Sequence, residues 1–154
     1  MHISATLLFA LASAAVARPQ DTSIAAGSRK NVYLATCTTR GLLDSPADSS
    51  STVIYYNGPS SSRDPSDVAT VSQPARDWEG STKRTYVNGA SFTSSINAGA
   101  GDLPKSQIAG TATLGGEDFV CFVDGTSTFK FNEGLLGLGS TNCKADYWCA
   151  STSV

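Results

Sequence analysis

Beyond residue 30, apolar and polar positions alternate with a period of two in short runs, broken by glycine, asparagine, aspartate or proline. That period predicts half-buried strands rather than helices. Residues 31–39 (NVYLATCTT) and 51–56 (STVIYY) are dense in β-branched and aromatic residues and read as two strands. The first ends at Gly41 and the second at Asn57-Gly58-Pro59, and residues 67–72 give a short third strand before Pro74. Runs 82–87 and 90–96 flank Asn88-Gly89, the strongest short hairpin signal. A two-residue loop there pairs Val87 with Ala90, Thr85 with Phe92 and Lys83 with Ser94. Val87, Ala90, Phe92 and Ile96 then share one face, and Arg84, Tyr86, Ser91 and Thr93 the other. Asp124-Gly125 reads as the same device between 117–123 and 126–131, with a further strand over 107–114 and one helical turn over 132–138. Apolar residues on both faces around Cys121 predict a central strand. Seven or eight short strands predict an all-β fold, a single disulfide-stapled antiparallel β-sandwich or small β-barrel.

The N-terminus has a different pattern. Residues 7–16 (LLFALASAAV) are uniformly apolar or small, and Ala15-Val16-Ala17 offers the small-x-small motif of a signal peptidase site between Ala17 and Arg18. The run is too short to span a bilayer, which needs about 20 apolar residues. The expected organisation is a signal peptide over 1–17, a flexible arm over 18–30, one β-rich domain over 31–149 and a tail over 150–154, in a secreted, extracellular protein. All four cysteines, Cys37, Cys121, Cys143 and Cys149, lie beyond the leader. An even count in a secreted chain predicts two disulfides. Cys143 and Cys149 bracket only Lys-Ala-Asp-Tyr-Trp, which favours a small closed loop, Cys143–Cys149, with Cys37–Cys121 as the second bridge. The alternative joins Cys37 to Cys149 or Cys143 and so ties the C-terminus to the first strand.

Charge and residue types then narrow the chemistry. Eleven Lys and Arg against 13 Asp and Glu leave a net charge of −2. With no basic stripe, neither nucleic acid nor an anionic membrane is expected as a partner. The one histidine, His2, falls in the leader, which excludes Ser-His-Asp and Cys-His catalysis in the mature chain. Without histidine or a C-x₂-C pair, no metal site is expected, and no cofactor. Residues 134–140 (GLLGLGS) lack the Gly-Lys-Ser/Thr ending of a phosphate loop. Two carboxylate pairs remain, Asp77/Glu79 and Glu117/Asp118, since two carboxylates suffice for glycoside hydrolysis. Adjacent strand residues point to opposite faces, so Glu117 and Asp118 cannot share a cleft; Asp77 and Glu79 could, but read equally as turn residues. No catalytic residue is assigned, and the reading is of a non-enzymatic protein. The candidate binding surface is aromatic: Tyr55, Tyr56, Trp78, Tyr86, Tyr147 and Trp148, which if exposed stack on sugar rings or anchor a protein. Tyr147 and Trp148 should face apart, leaving one buried and the other free.

The leader ending Ala15-Val16-Ala17, the absence of any Asn-x-Ser/Thr sequon, the Ser/Thr/Gly-rich β pattern and the terminal Cys143-Lys-Ala-Asp-Tyr-Trp-Cys149 together carry a resemblance. The chain resembles the small secreted cysteine-containing proteins of filamentous fungi, many of which act as effectors on a host. The resemblance implies a stable extracellular protein that perturbs host defence by binding, with no shared catalytic residues and no particular target; the expected partner is a host extracellular protein, and the protein itself is expected to be a monomer. The alternative expectation is a carbohydrate-binding or cell-wall-associated protein whose exposed Tyr and Trp hold a cell-wall polysaccharide.

Overall fold

The computed structural model describes residues 29–41, 47–60, 64–133 and 139–153. The expected signal peptide and all but Arg29 and Lys30 of the arm lie outside the described residues. Among the described residues nine strands are formed: β1 (Asn31–Arg40), β2 (Asp48–Tyr56), β3 (Asp67–Ser72), β4 (Thr82–Val87), β5 (Ala90–Ile96), β6 (Ile108–Leu114), β7 (Glu117–Val123), β8 (Thr128–Glu133) and β9 (Gly139–Ser151). They build one antiparallel sheet in the order β3-β2-β1-β9-β7-β6-β5-β4, with β8 pairing β9 outside that order. The sheet curls until its two edges meet. There Thr85 Oγ1 donates to the Thr70 carbonyl at 3.4 Å, and the Asn88 N–H donates to the Asp67 carboxylate. The result is a nearly closed barrel, the outcome that leaves the fewest unpaired strand edges.

The interior is filled by the chain's own side chains. Val32, Leu34, Val53, Tyr55, Phe92, Phe119, Cys121, Tyr147 and Cys149 form the barrel core, and Trp78 packs with them. A second core lies on the outer face of β1, β2 and β9. It contains Tyr33, Ala35, Cys37, Ile54, Tyr56, Cys143 and Ala145, with Phe129 and Phe131 of β8 and Trp148 packed against it. Tyr33 meets Phe129 with ring centroids 5.0 Å apart, so β8 acts as a lid on this second core. One close approach demands glycine. A Cβ on Gly110 would lie 2.3 Å from the Ser95 carbonyl, at the point where the β6–β7 register shifts.

The hairpin over 82–96 has the register expected from its sequence, and β7 is central, between β6 and β9. Four expectations need correction. First, β7 and β8 do not pair with each other; both pair with β9. The Asp124 and Gly125 N–H groups donate to the Asp146 and Ala145 carbonyls at 2.9 Å, and Asp124 accepts from the Thr126 and Ser127 amides at 2.8 and 2.7 Å. Those bonds turn the chain onto β9 instead of back along β7. Burial opposes ionisation of Asp124, but the Ser127 and Thr126 donors outweigh it and hold its carboxyl below the usual range. Second, the favoured cysteine pairing is wrong. Cys143 and Cys149 lie on one extended strand, six residues and so about 20 Å apart. The bridges are Cys37–Cys143 and Cys121–Cys149, each joining residues directly opposite on neighbouring strands. Third, Ala150 and Ser151 are buried residues of β9 rather than a tail. Lys30 likewise is pinned instead of mobile, with its ammonium on Glu117 and its carbonyl accepting from the Ser151 N–H. Fourth, Asn132 and Glu133 continue β8 rather than opening a helical turn; 134–138 lie outside the described residues.

The bridges close loops of very different length. The chain-entropy relation assigns about 5 kcal/mol to the 106-residue separation of Cys37 and Cys143 and about 3.5 kcal/mol to the 28-residue separation of Cys121 and Cys149. Denaturant unfolding should therefore find Cys37→Ala/Cys143→Ala less stable than Cys121→Ala/Cys149→Ala; the reverse order would show that packing around the sulfurs outweighs loop closure.

Candidate functional site

Along its barrel-facing side β1 changes character after Leu34, because the next residues on that side are Thr36 and Thr38, both exposed. The change matches the partner strand. Leu34 lies opposite Tyr147 but Ala35 opposite Ala145, so Asp146 is an additional residue in β9, a β-bulge. The bulge turns the Asp146 side chain to the same side as Tyr147, and Thr36 Oγ1 donates to Asp146 Oδ2 at 2.7 Å. A bulge placed this way re-aims a polar side chain at the rim of a barrel.

The segment before β4 closes the other wall. Gly80 N–H donates to the Ile96 carbonyl at 2.9 Å and Glu79 bridges to Ile96, which hooks this segment to the end of β5 and drives Trp78 into the barrel mouth. Glu79 is a clamp. It accepts from the Gly99 and Gly101 amides, each at 3.0 Å, and from the Tyr147 hydroxyl at 2.5 Å. Burial raises the Tyr147 pKa, and the hydrogen bond to Glu79 raises it further, so Tyr147 stays a neutral donor.

Between these walls lies a pocket of about 250 Å³, lined by Thr36, Asp77, Trp78, Lys144, Asp146 and Tyr147 among others. It adjoins an open shelf where the sheet runs past the barrel, lined by Thr36 and Thr38 of β1, Asn142, Cys143 and Lys144 of β9, and Thr128, Phe129 and Lys130 of β8, more apolar than polar in its exposed surface. Asp146 is the distinctive group. Burial lifts its carboxyl above the usual range and Asp77 adds to the effect, while the Thr36 hydroxyl, the Trp78 indole and Lys144 act in the opposite direction. The Trp78 indole N–H is close enough to favour the charged carboxyl, yet it makes no hydrogen bond of normal geometry and is shielded from water. Trp78 itself is only 2 % exposed.

The six aromatic residues singled out from the sequence do not form one surface. Tyr55, Tyr56, Trp78 and Tyr147 are buried, which removes them as a stacking platform. They are needed as core: Tyr55, Trp78 and Tyr147 fill the barrel, and Tyr56 packs in the outer core. Trp148 is half-buried, stacks on Phe122 at 5.7 Å and donates to Asn31 Oδ1 at 2.9 Å. Tyr147 and Trp148 do face apart. Tyr86, at 76 % exposed, is the one fully presented aromatic of the six, and it stands on β4 near the β3–β4 seam. Of the carboxylates, Asp77 and Glu79 do line one pocket, but both oxygens of Glu79 are occupied. Glu117 is tied to Lys30 and Ser151, whose hydrogen bonds outweigh its burial and lower its pKa. Asp146 was missed because a bulge leaves no local mark in the sequence. The signal would have been parity: in β9 residues 141–149 every odd position is apolar or small, yet their odd positions serve both cores.

No known protein family, characterised protein or solved structure is similar to this chain. Among the described residues, no group of three or more His, Cys, Asp or Glu is placed to hold a metal ion. No helix there is long and apolar enough to cross a membrane.

The electrostatics of Asp146 make a signed prediction. Its folded pKa lies above the unfolded value, so the proton it carries at low pH favours folding, and that contribution is lost as pH rises through the folded pKa. Thr36→Val removes a donor to the ionised carboxyl and should move the Asp146 titration still higher, read by carbon-detected NMR. A downward or absent shift would mean that the Thr36 bond does not stabilise the charged form.

Proposed function

We propose that the protein is a secreted, non-enzymatic protein of the effector type that acts on a host extracellular partner through the folded surface of its stapled barrel. The observation that carries this reading is the placement of the disulfides. Both lie on β9, one toward each end, and they fasten that strand covalently to β1 on one side and β7 on the other. The strand that bears the shelf and pocket is thereby locked, which suits a surface that must keep its shape outside the cell, where disulfides persist. The filled interior supports recognition by the outside and the mouth of the barrel rather than by an enclosed cavity. The non-enzymatic reading is supported by Glu79, whose carboxylate is held by two amides and a phenol as a structural clamp.

The alternative of a polysaccharide-binding protein with an aromatic platform loses support, because four of its six residues are core. Infiltration of the purified protein into plant tissue tests the main reading. The native protein should alter defence responses, and the reduced and alkylated protein should not. Equal responses to both forms would indicate a linear peptide signal, and no response to either would remove the host-directed role.

A further inference from the structure

Among the described residues β8 has one neighbour in the sheet: it pairs with the first half of β9, and nothing pairs with its other edge. The terminal strands β3 and β4 face each other across the seam, so β8 carries the open edge of the barrel. The ladder decides which groups that edge presents. The Ala145 N–H donates to the Ser127 carbonyl at 2.9 Å, which makes these two residues a hydrogen-bonded pair. In the same register Phe129 and Phe131 fall in bonded pairs with Cys143 and Thr141. The amides and carbonyls of Thr128, Lys130 and Asn132 therefore turn away from β9. They recur at every second residue, about 6.8 Å apart, a repeat that an extended backbone matches and a compact ligand does not.

The space beside this edge fits a strand. Thr128, Phe129, Lys130 and Phe131, four residues in succession, line a cleft of about 240 Å³ whose far wall includes Tyr56 and Pro65. The face of a strand shows only alternate residues, so a cleft bordered by four in succession runs along the edge itself. An added strand alternates in step with β8. Its residues opposite Phe129 and Phe131, both half-buried, meet Tyr56 and Pro65 and are required to be apolar. Asp64 stands in the same wall, beside Tyr56, and disfavours carboxylates on that side. Residues opposite Lys130 share the other face with Lys130 and Lys144, neither of which forms an ion pair among the described residues. Lys130 also argues against a second copy as the occupant. Two β8 edges paired through all three outward residues would set Lys130 against Lys130, the repulsion by which lysine keeps strand edges from self-association. We propose that the β8 edge takes up one strand of a partner polypeptide, with carboxylates opposite Lys130 alternating with apolar residues over Phe129 and Phe131. This deepens the surface-recognition reading by naming the kind of segment recognised, and it rests on that reading only in taking the partner to be a host protein.

The backbone amides of β8 give the test an internal control. The intact disulfide-bonded protein, labelled with ¹⁵N, is titrated with a pool of heptapeptides that alternate Asp or Glu with Val, Ile or Tyr. The Thr128, Lys130 and Asn132 amides should shift saturably and become protected from hydrogen exchange. The Phe129 and Phe131 amides, already bonded to β9, should keep the protection they have. Lys130→Glu should weaken binding roughly tenfold, because an attractive cross-strand pair becomes a repulsive one. A pool with Lys and Arg in place of the acids should bind that variant instead. Asn132→Pro removes one outward N–H and leaves the β9 ladder intact, so it should fold and lose binding; the amide spectra of both variants report whether each is folded. Absence of protection with the acidic pool would overturn the proposal and leave Lys130 as a guard on an unused edge. Protection that grows with protein concentration alone would overturn it in favour of a second copy. Equal binding of the acidic and basic pools by the native protein would overturn the charge assignment, and undiminished binding in folded Asn132→Pro would place the peptide elsewhere. These outcomes are independent of the plant-tissue response, so failure of the edge and failure of the host-directed role are told apart.

Discussion

The architecture depends on one strand having to serve two cores. β9 pairs along its length with β1, while its other edge is shared, the first half by β8 and the second by β7. Its second half must point Tyr147 and Cys149 into the barrel, and its first half must point Cys143 and Ala145 into the outer core. A regular strand with a period of two would send all four to the same side. The additional residue at Asp146 reverses the parity, and each half then meets its own core. Both disulfides follow from this: Cys143 reaches Cys37 on the outer face, and Cys149 reaches Cys121 on the inner one.

The same reversal makes the pocket. A bulge leaves the inserted residue without a place in the ladder, and here that residue is a carboxylate held at the barrel mouth by a threonine. Beyond it the barrel wall on the far side stops while β1, β8 and β9 continue, so the inward-facing side of the sheet becomes a solvent-facing shelf of Thr, Asn and Lys. Trp78, driven in from the segment before β4, seals the core beneath and leaves its indole N–H next to the carboxylate. The pocket at the barrel mouth is therefore a consequence of one inserted residue.

Local chemistry was legible in the sequence wherever it decides the structure alone. Asn88-Gly89 determined the register of the β4–β5 hairpin because a two-residue turn permits only one pairing. Apolar residues on both faces of 117–123 marked β7 as central because each face meets a core or a neighbour. The failures share a cause. Asp124-Gly125 carries a hairpin signature, but its amides are claimed by β9, a strand some 20 residues later in the chain. Cys143 and Cys149 are near in sequence and distant in space because the segment between them is extended, which neither spacing nor count reveals. Tyr55, Tyr56, Trp78 and Tyr147 alternate as surface residues could, yet a chain with 8 % aromatic residues uses most of them to fill its interior.

Deleting Asp146 tests the parity argument most directly. Removing the bulged residue leaves β9 a regular strand with Ala145 and Tyr147 on opposite faces, as both cores require. The deletion variant should fold with Cys37–Cys143 and Cys121–Cys149 intact by peptide mapping, less stable by about 1–3 kcal/mol for the two hydrogen bonds lost. A scrambled disulfide pattern or loss of cooperative unfolding in that variant would contradict it, and would show that the additional residue is needed for the ladder itself rather than for the pocket it creates.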